Sequence, residues 1–170
     1  IAGLILAVGG ALFKAVTLTK DLSKEMGIGL KNAAGIAYHI TKATFSLEGG
    51  ILKTLGKDLG TAAGAIQGAT SGIAEINKKT IIAVSTLSAL TGATEESVAN
   101  VAKMYSDINN MSFKSGTEFT NSLRALAKAN LVDEGMLISD MAASTEEMAM
   151  WSKQGTINFE MAAIQAKQMG

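Results

Sequence analysis

The sequence of 170 residues lacks cysteine and proline altogether and contains a single histidine. Without cysteine, the chain has no disulfide framework, no thiolate zinc site and no cysteine nucleophile. The one histidine, His39, cannot build a metal site of several histidines. Average usage predicts roughly eight prolines in a chain of this length. Their absence favours long helices, because proline removes a backbone donor and clashes with the preceding helical turn.

Charge and aromatic content are also low. The 15 basic and 15 acidic residues give a formal net charge of zero, which argues against a nucleic-acid binder, because such proteins usually carry a basic surface. Aromatic residues make up 5% of the chain and hydrophobic residues 48%. This apolar share argues against intrinsic disorder, and the length of the chain corresponds to about one domain, which we expect to be helical. Because the first residue is Ile1, we expect the sequence to be part of a longer protein.

Residues 1–50 are predicted to form apolar and short helical segments. Residues 1–13 carry no charge, but they are shorter than the roughly 20 apolar residues that span a membrane. We interpret them as a buried helix or as the end of a longer apolar segment, with entry into a membrane as the alternative. A short helix is expected from Thr19 to Gly27, and another over residues 30–47, before a break at Gly49-Gly50.

The most regular pattern lies in residues 51–91. Apolar residues recur there at steps of three and four from Leu52 to Leu90, a spacing typical of a coiled coil. We therefore predict one Gly/Ala-rich coiled-coil helix over residues 51–91 that joins identical copies of the chain. Few charged residues flank this apolar seam, so salt bridges are not expected to set the pairing.

Glycines recur at every fourth residue of this segment, from Gly56 to Gly72. Each glycine inside a helix costs about 1 kcal/mol relative to alanine, and close contact between helix backbones would offset that cost. A flexible Gly/Ala linker is the alternative, although a linker need not keep the apolar phase. Seam and glycines together predict an oligomer interface formed by Leu52, Leu55, Gly56, Leu59, Gly60, Ala62, Gly64, Ile66, Gly68, Ala69, Gly72, Ile73, Ile76, Leu87 and Leu90.

Residues 93–170 are predicted to form a small array of short, capped helices. Thr94 followed by two glutamates is typical of a helix start, and capping boxes are expected at residues 115–118 and 144–147. Trp151 is expected to anchor the core of the array, and a last helix is expected over residues 158–169. The predicted fold class is all-α, with extended helices and a coiled-coil segment followed by this array. Residues 80–84, TIIAV, are interpreted as helix because they keep the heptad phase.

No arrangement of residues indicates catalysis, so we predict that the chain is not an enzyme and binds no cofactor or metal. His39 is interpreted as a structural or surface residue, and the acid pairs at residues 95–96 and 146–147 as helix caps. Gly27-Ile28-Gly29 lacks the third glycine of a dinucleotide-binding loop. The nine methionines are interpreted as adaptable packing, with a peptide-binding groove as the alternative.

Residues 130–169 resemble a segment of the tail tape measure proteins of contractile-tailed phages. The likeness is carried by Ser139-Asp140-Met141-Ala142, by Ser144-Thr145-Glu146 and by the run NFEMAAIQAK at residues 158–167. Residues 19–27, TKDLSKEMG, are similar to an upstream part of the same family. The resemblance covers only part of the chain and consists of helical sequence without an invariant motif.

The resemblance implies a structural virion protein that lies in the lumen of the tail tube and sets tail length during assembly. It implies extended, parallel helical copies, for which we favour three over six. The implied partners are the tail tube and the baseplate hub or tail-tip proteins, with no specific nucleic-acid site. The protein would be in the host cytoplasm during assembly, and its release at infection, into the host envelope in some relatives, would assist genome delivery.

Two other functions are considered. The apolar residues 1–13 and the glycine row are also typical of a membrane-active protein, such as a pore-forming or toxin-like helical protein. An enzyme, with a peptidoglycan hydrolase as its most plausible kind, is the third hypothesis, and the sequence supplies no catalytic groups for it.

Overall fold

The computed structural model describes residues 17–144 and 156–169, and the regular structure in these two ranges is entirely helical. The all-α prediction is therefore confirmed for the described residues, including 80–84, which lie inside a helix. In chain order the helices are α1 (17–25), α2 (Leu30–Thr44), α3 (Leu47–Thr54), α4 (Leu59–Thr70), α5 (Lys78–Thr91), α6 (Glu95–Ile108), α7 (Phe113–Ala129), α8 (Glu134–Ala143) and α9 (Thr156–Met169).

Residues 51–91 do not form one continuous helix, and that prediction is wrong. The first break follows α3, where Gly56 has a φ of +76° and Asp58 caps α4 by accepting a hydrogen bond from the Gly60 N–H. The second break begins at Ser71, with a φ of +53°, and ends where Asn77 caps α5. Apolar spacing alone did not reveal these breaks, because the steps of three and four continue across both of them.

Several helix ends differ from the prediction by a few residues. Thr94 caps α6 as expected and accepts a hydrogen bond from the Ser97 N–H. The box expected at residues 115–118 is wrong, because α7 begins earlier and Ser112 accepts from the Ser115 N–H. Thr19 lies inside α1 rather than at its start, since residues 17 and 18 are already helical. Ser144 ends α8 as its C-cap.

Other predictions fall outside the described residues. These are the apolar segment 1–13, the acid pair at 146–147, the remainder of the capping box expected at residues 144–147, and the core role of Trp151. The helix expected over residues 158–169 is present as α9, which begins two residues earlier.

Helices from both sides of Gly92 share one hydrophobic core. Helices α4 and α5 both pack on α6, and α5 also contacts α7 and α8. Fully buried side chains from these helices meet there: Ile66, Ile81, Val98, Leu123 and Ile138. The core therefore joins the Gly/Ala-rich segment to the short-helix array, which the sequence suggested were separate regions.

Three glycines bring helix backbones into close contact, and none of them belongs to the predicted glycine row. A methyl group at Gly116 of α7 would overlap the carbonyl group of Ala102 in α6. A methyl group at Gly49 would overlap the Ala43 carbonyl, and one at Gly135 would crowd the backbone around Thr91. These contacts set the spacing of α2 with α3, of α6 with α7, and of α8 with the end of α5.

Candidate interaction surface

The structure divides the predicted oligomer interface into buried and accessible residues. Six of its members lie in the core of their own chain: Leu52, Leu59, Ala62, Ile66, Ile76 and Leu87. In this fold those side chains cannot contact a second copy, because their apolar surface is already covered. This is a correction to the assignment of these six residues, and its physical reason is that α3, α4 and α5 turn their shared apolar seam inward.

The remaining members of the predicted set are half-buried or exposed. Gly60, Ala69, Gly72 and Ile73 are half-buried, whereas Leu55, Gly56, Gly64, Gly68 and Leu90 are exposed. Only these half-buried and exposed members offer surface to another molecule without a change of fold. Whether another copy binds there stays a prediction.

The glycine row of α4 lies open along the floor of two grooves. A methyl group at Gly64 or Gly68 would meet no atom within van der Waals distance, and one at Gly60 would meet only the side chain of Asp58. Close contact within this chain therefore does not offset the cost of about 1 kcal/mol that each glycine adds to the helix.

The two grooves have walls of different chemistry. The larger, about 830 Å³, lies between α4 and α1, and Asp21, Glu25 and Asp58 line it together with Leu22 and Met26. The smaller, about 570 Å³, lies between α4 and the start of α6, with Glu96 and Asn100 among its lining residues. Both grooves thus combine a floor of small residues with acidic walls.

A partly buried polar network connects the first break to the start of α6. The Lys57 ammonium donates a hydrogen bond of 2.7 Å to the Ser88 hydroxyl and lies 3.3 Å from a carboxylate oxygen of Glu95. The Ser88 hydroxyl in turn donates to the carbonyl of Ala93 at 2.7 Å. Sequence reasoning interpreted the glutamates at 95–96 only as caps and missed this network, because its members are far apart in the chain.

The region that carries the phage resemblance is held together by polar contacts between helices. Arg124 of α7 donates to Glu134 of α8 at 2.9 Å, and Lys167 of α9 lies 2.5 Å from Asp140 of α8. The Ile164 side chain of α9 is buried. The two described parts of that region, α8 and α9, are therefore packed against each other.

Titratable side chains do not gather into a metal site among the described residues, in which groups of three or more potential ligands are absent. His39 is half-buried, and its ring meets the Tyr38 ring edge-on at 5.4 Å. The pKa of Glu48 is lowered, mainly by a hydrogen bond from its own backbone N–H and then by the Ser46 hydroxyl and the charge of Lys78. Each of these groups has a structural partner.

The outer side of α3 is a feature that sequence reasoning largely missed. Phe45, Leu47, Ile51 and Leu55 are all exposed, yet only Leu55 belonged to the predicted interface. The spacing of Leu47, Ile51 and Leu55 at every fourth residue was the available signal. This spacing was overlooked because Leu52, the residue after Ile51, fitted the longer heptad pattern.

Comparisons with known proteins do not identify a family. The chain matches neither a protein-family model nor a curated protein, and its fold matches no solved structure. Among the described helices, none is both long enough and apolar enough to cross a membrane. The membrane-active hypothesis was based on residues 1–13, which lie outside the described ranges, and on the glycine row of residues 56–72, and it stays a prediction.

Proposed function

We propose that the chain is a structural part of a tail tape measure protein of a contractile-tailed phage. The observation that carries this proposal is the likeness of residues 130–169 to that family. Its support from the fold is that both described parts of this region are helical and pack through Ile164 and the Lys167–Asp140 ion pair. The protein would act in the tail tube lumen, beside identical copies and in contact with the tube and the baseplate hub or tail tip.

The fold changes how this region would contribute to tail length. Drawn out as one continuous helix, residues 17–144 would span about 190 Å, since a helix rises about 1.5 Å per residue. Packed as a domain, a segment of this size is about 35 Å across. We propose that the region adds the smaller length, and that the rest of the longer protein supplies most of the ruler.

Two measurements on phage particles test the proposal. Purified tails should contain the protein at a low, fixed ratio to tube protein, measured by quantitative mass spectrometry. Deletion of residues 17–144 should shorten the tails by about 35 Å in averaged electron micrographs. Absence from tails would refute the assignment, and unchanged tail length would refute the measuring role of this region. A shortening near 190 Å would keep the measuring role but show that the helices are drawn out in the tube.

A further inference from the structure

The outer face of α3 is an apolar ridge with no other described helix packed on it. Leu47, Ile51 and Leu55 follow one another at steps of four and are 81%, 54% and 62% exposed, and the adjoining Phe45 is 75% exposed. On the opposite face of the same helix, Gly49 and Leu52 are buried. Residues four apart lie on one side of a helix, so the exposed ridge is continuous.

A helix with apolar residues on two opposite sides usually packs against other elements on both of them. The inner side of α3 already packs on α2 and α5, and within residues 17–144 and 156–169 no helix covers the ridge formed by Phe45, Leu47, Ile51 and Leu55. Four large side chains that remain more than half exposed offer an apolar area on the order of 400 Å². Scattered single exposed residues need no explanation, whereas a connected group of this size equals the largest apolar patch of a typical monomer, and such a patch often has a function.

We propose that two copies of this chain pair through the α3 ridge, with the two α3 helices antiparallel. In a two-fold contact each residue near the axis faces its own counterpart, so a charged residue there would repel itself. The ridge meets this requirement, because its members Phe45, Leu47, Ile51 and Leu55 are uncharged. A crossing centred on Ile51 places Leu47 of one copy beside Leu55 of the other.

The size of the ridge also fits a pair of copies. Two ridges and the residues around them would bury on the order of 1,000 Å² in total, close to the lower bound for specific protein interfaces.

The pairing does not depend on the phage assignment. The pairing uses Leu55 from the interface predicted by the sequence, but the other side chains of the ridge are different ones.

The absence of cysteine from the chain permits a direct test by cross-linking. The Ile51→Cys variant of the full chain should form a disulfide-linked dimer under mild oxidation, because position 51 lies next to its own counterpart. The matched control is Leu131→Cys, at a position that is 96% exposed but far along the chain in the turn after α7. Cross-linking at both positions at the same rate, or at neither, would overturn the proposal.

Sedimentation of the full chain gives a second, independent test. The unmodified chain should associate to twice the mass of one chain as its concentration rises. Ile51→Glu should weaken this association at least about 100-fold, since the charge enters the contact twice and each copy costs about one factor of ten. Leu131→Glu should leave it unchanged, and circular dichroism should show the same helical content in both variants. A chain that stays monomeric at every concentration would overturn the proposal, whichever segment then covers the ridge.

Discussion

Alanine substitutions at two groups of glycines should change stability in opposite directions. Gly64 and Gly68 lie in the interior of α4 with open space around them, whereas Gly116 lies against the Ala102 carbonyl group of α6. At the first two positions a methyl group meets nothing and only removes the entropic cost of glycine. At Gly116 the same methyl group forces α6 and α7 apart.

The expected magnitudes follow from these environments. Gly64→Ala and Gly68→Ala should each raise the free energy of unfolding by about 1 kcal/mol. Gly116→Ala should lower it by about 3 kcal/mol, at the upper end of overpacking costs, because a backbone atom cannot move aside as a side-chain end can. For a chain of this size, 1 kcal/mol corresponds to about 2–4 °C in the melting temperature.

Thermal unfolding followed by circular dichroism, with urea titrations alongside, would measure both effects on the same chain. Gly50→Ala in α3, also exposed and in open space, serves as a control for the general effect of alanine in an exposed helix. A loss of stability in Gly64→Ala would refute the reasoning, because it would mean that the glycine row is in contact already in the isolated chain. A neutral Gly116→Ala would refute the close approach of α6 and α7.

Four further substitutions, one of them a control, test other parts of the structure. Ser85 is fully buried, and among the described residues its hydroxyl has no hydrogen-bond partner. Ser85→Ala should therefore raise the free energy of unfolding by about 1 kcal/mol, measured by urea unfolding. A clear loss of stability would show that the hydroxyl does have a partner. Lys57→Met should lower the free energy of unfolding by about 2 kcal/mol by the same method, because it leaves Glu95 and Ser88 without their cation. The control Lys114→Met removes an exposed ion pair and should lower it by less than about 0.5 kcal/mol. The pKa of Glu48 is lowered in the fold. Its carboxylate therefore stabilises the chain above the ordinary pKa of glutamate, and this contribution disappears as the pH falls through the folded-state pKa. The melting temperatures of the unmodified chain and Glu48→Gln should converge as the pH falls below the ordinary pKa of glutamate, and a constant difference would contradict this assignment.

The positions of several helices were predictable from the sequence, because apolar spacing and capping residues indicated the same segments. Apolar residues recur at helical spacing in α2 and α6, and Ile36, Ile40 and Val98 lie on the buried sides of these helices. The sequence also predicted a helix start at Thr94, and the Thr94 hydroxyl accepts a hydrogen bond from the Ser97 N–H in the first turn of α6. These signals act within a few residues of the chain, so they are readable without knowledge of the fold.

Helix length and partners were harder to predict, because they depend on competition between distant parts of the chain. The break at Ser71 uses a left-handed backbone conformation at a residue that is not glycine, and the apolar spacing continues across it. The close approaches are at Gly49, which the sequence predicted as part of a break but which lies inside α3, and at Gly116. The row of five glycines stood out in the sequence only because of its period. A period shows where small residues recur, but only packing shows which of them touches a backbone.

The same apolar side chains cannot serve both the packed domain and a bundle of straight helices. Leu59, Ile66 and Ile76 lie on the seam that a continuous helix over residues 51–91 would present to its neighbours, and in the fold they fill the core. Straightening the segment would expose the surface of α6 on which α4 packs and cost the burial of each large side chain, about 1.5–3 kcal/mol apiece. Contact with other copies would have to restore that burial. The isolated chain therefore favours the packed domain, and only a crowded setting that supplies several parallel copies could favour the rod. The tail-length measurement on the 17–144 deletion separates these two states, because they differ about five-fold in the length removed.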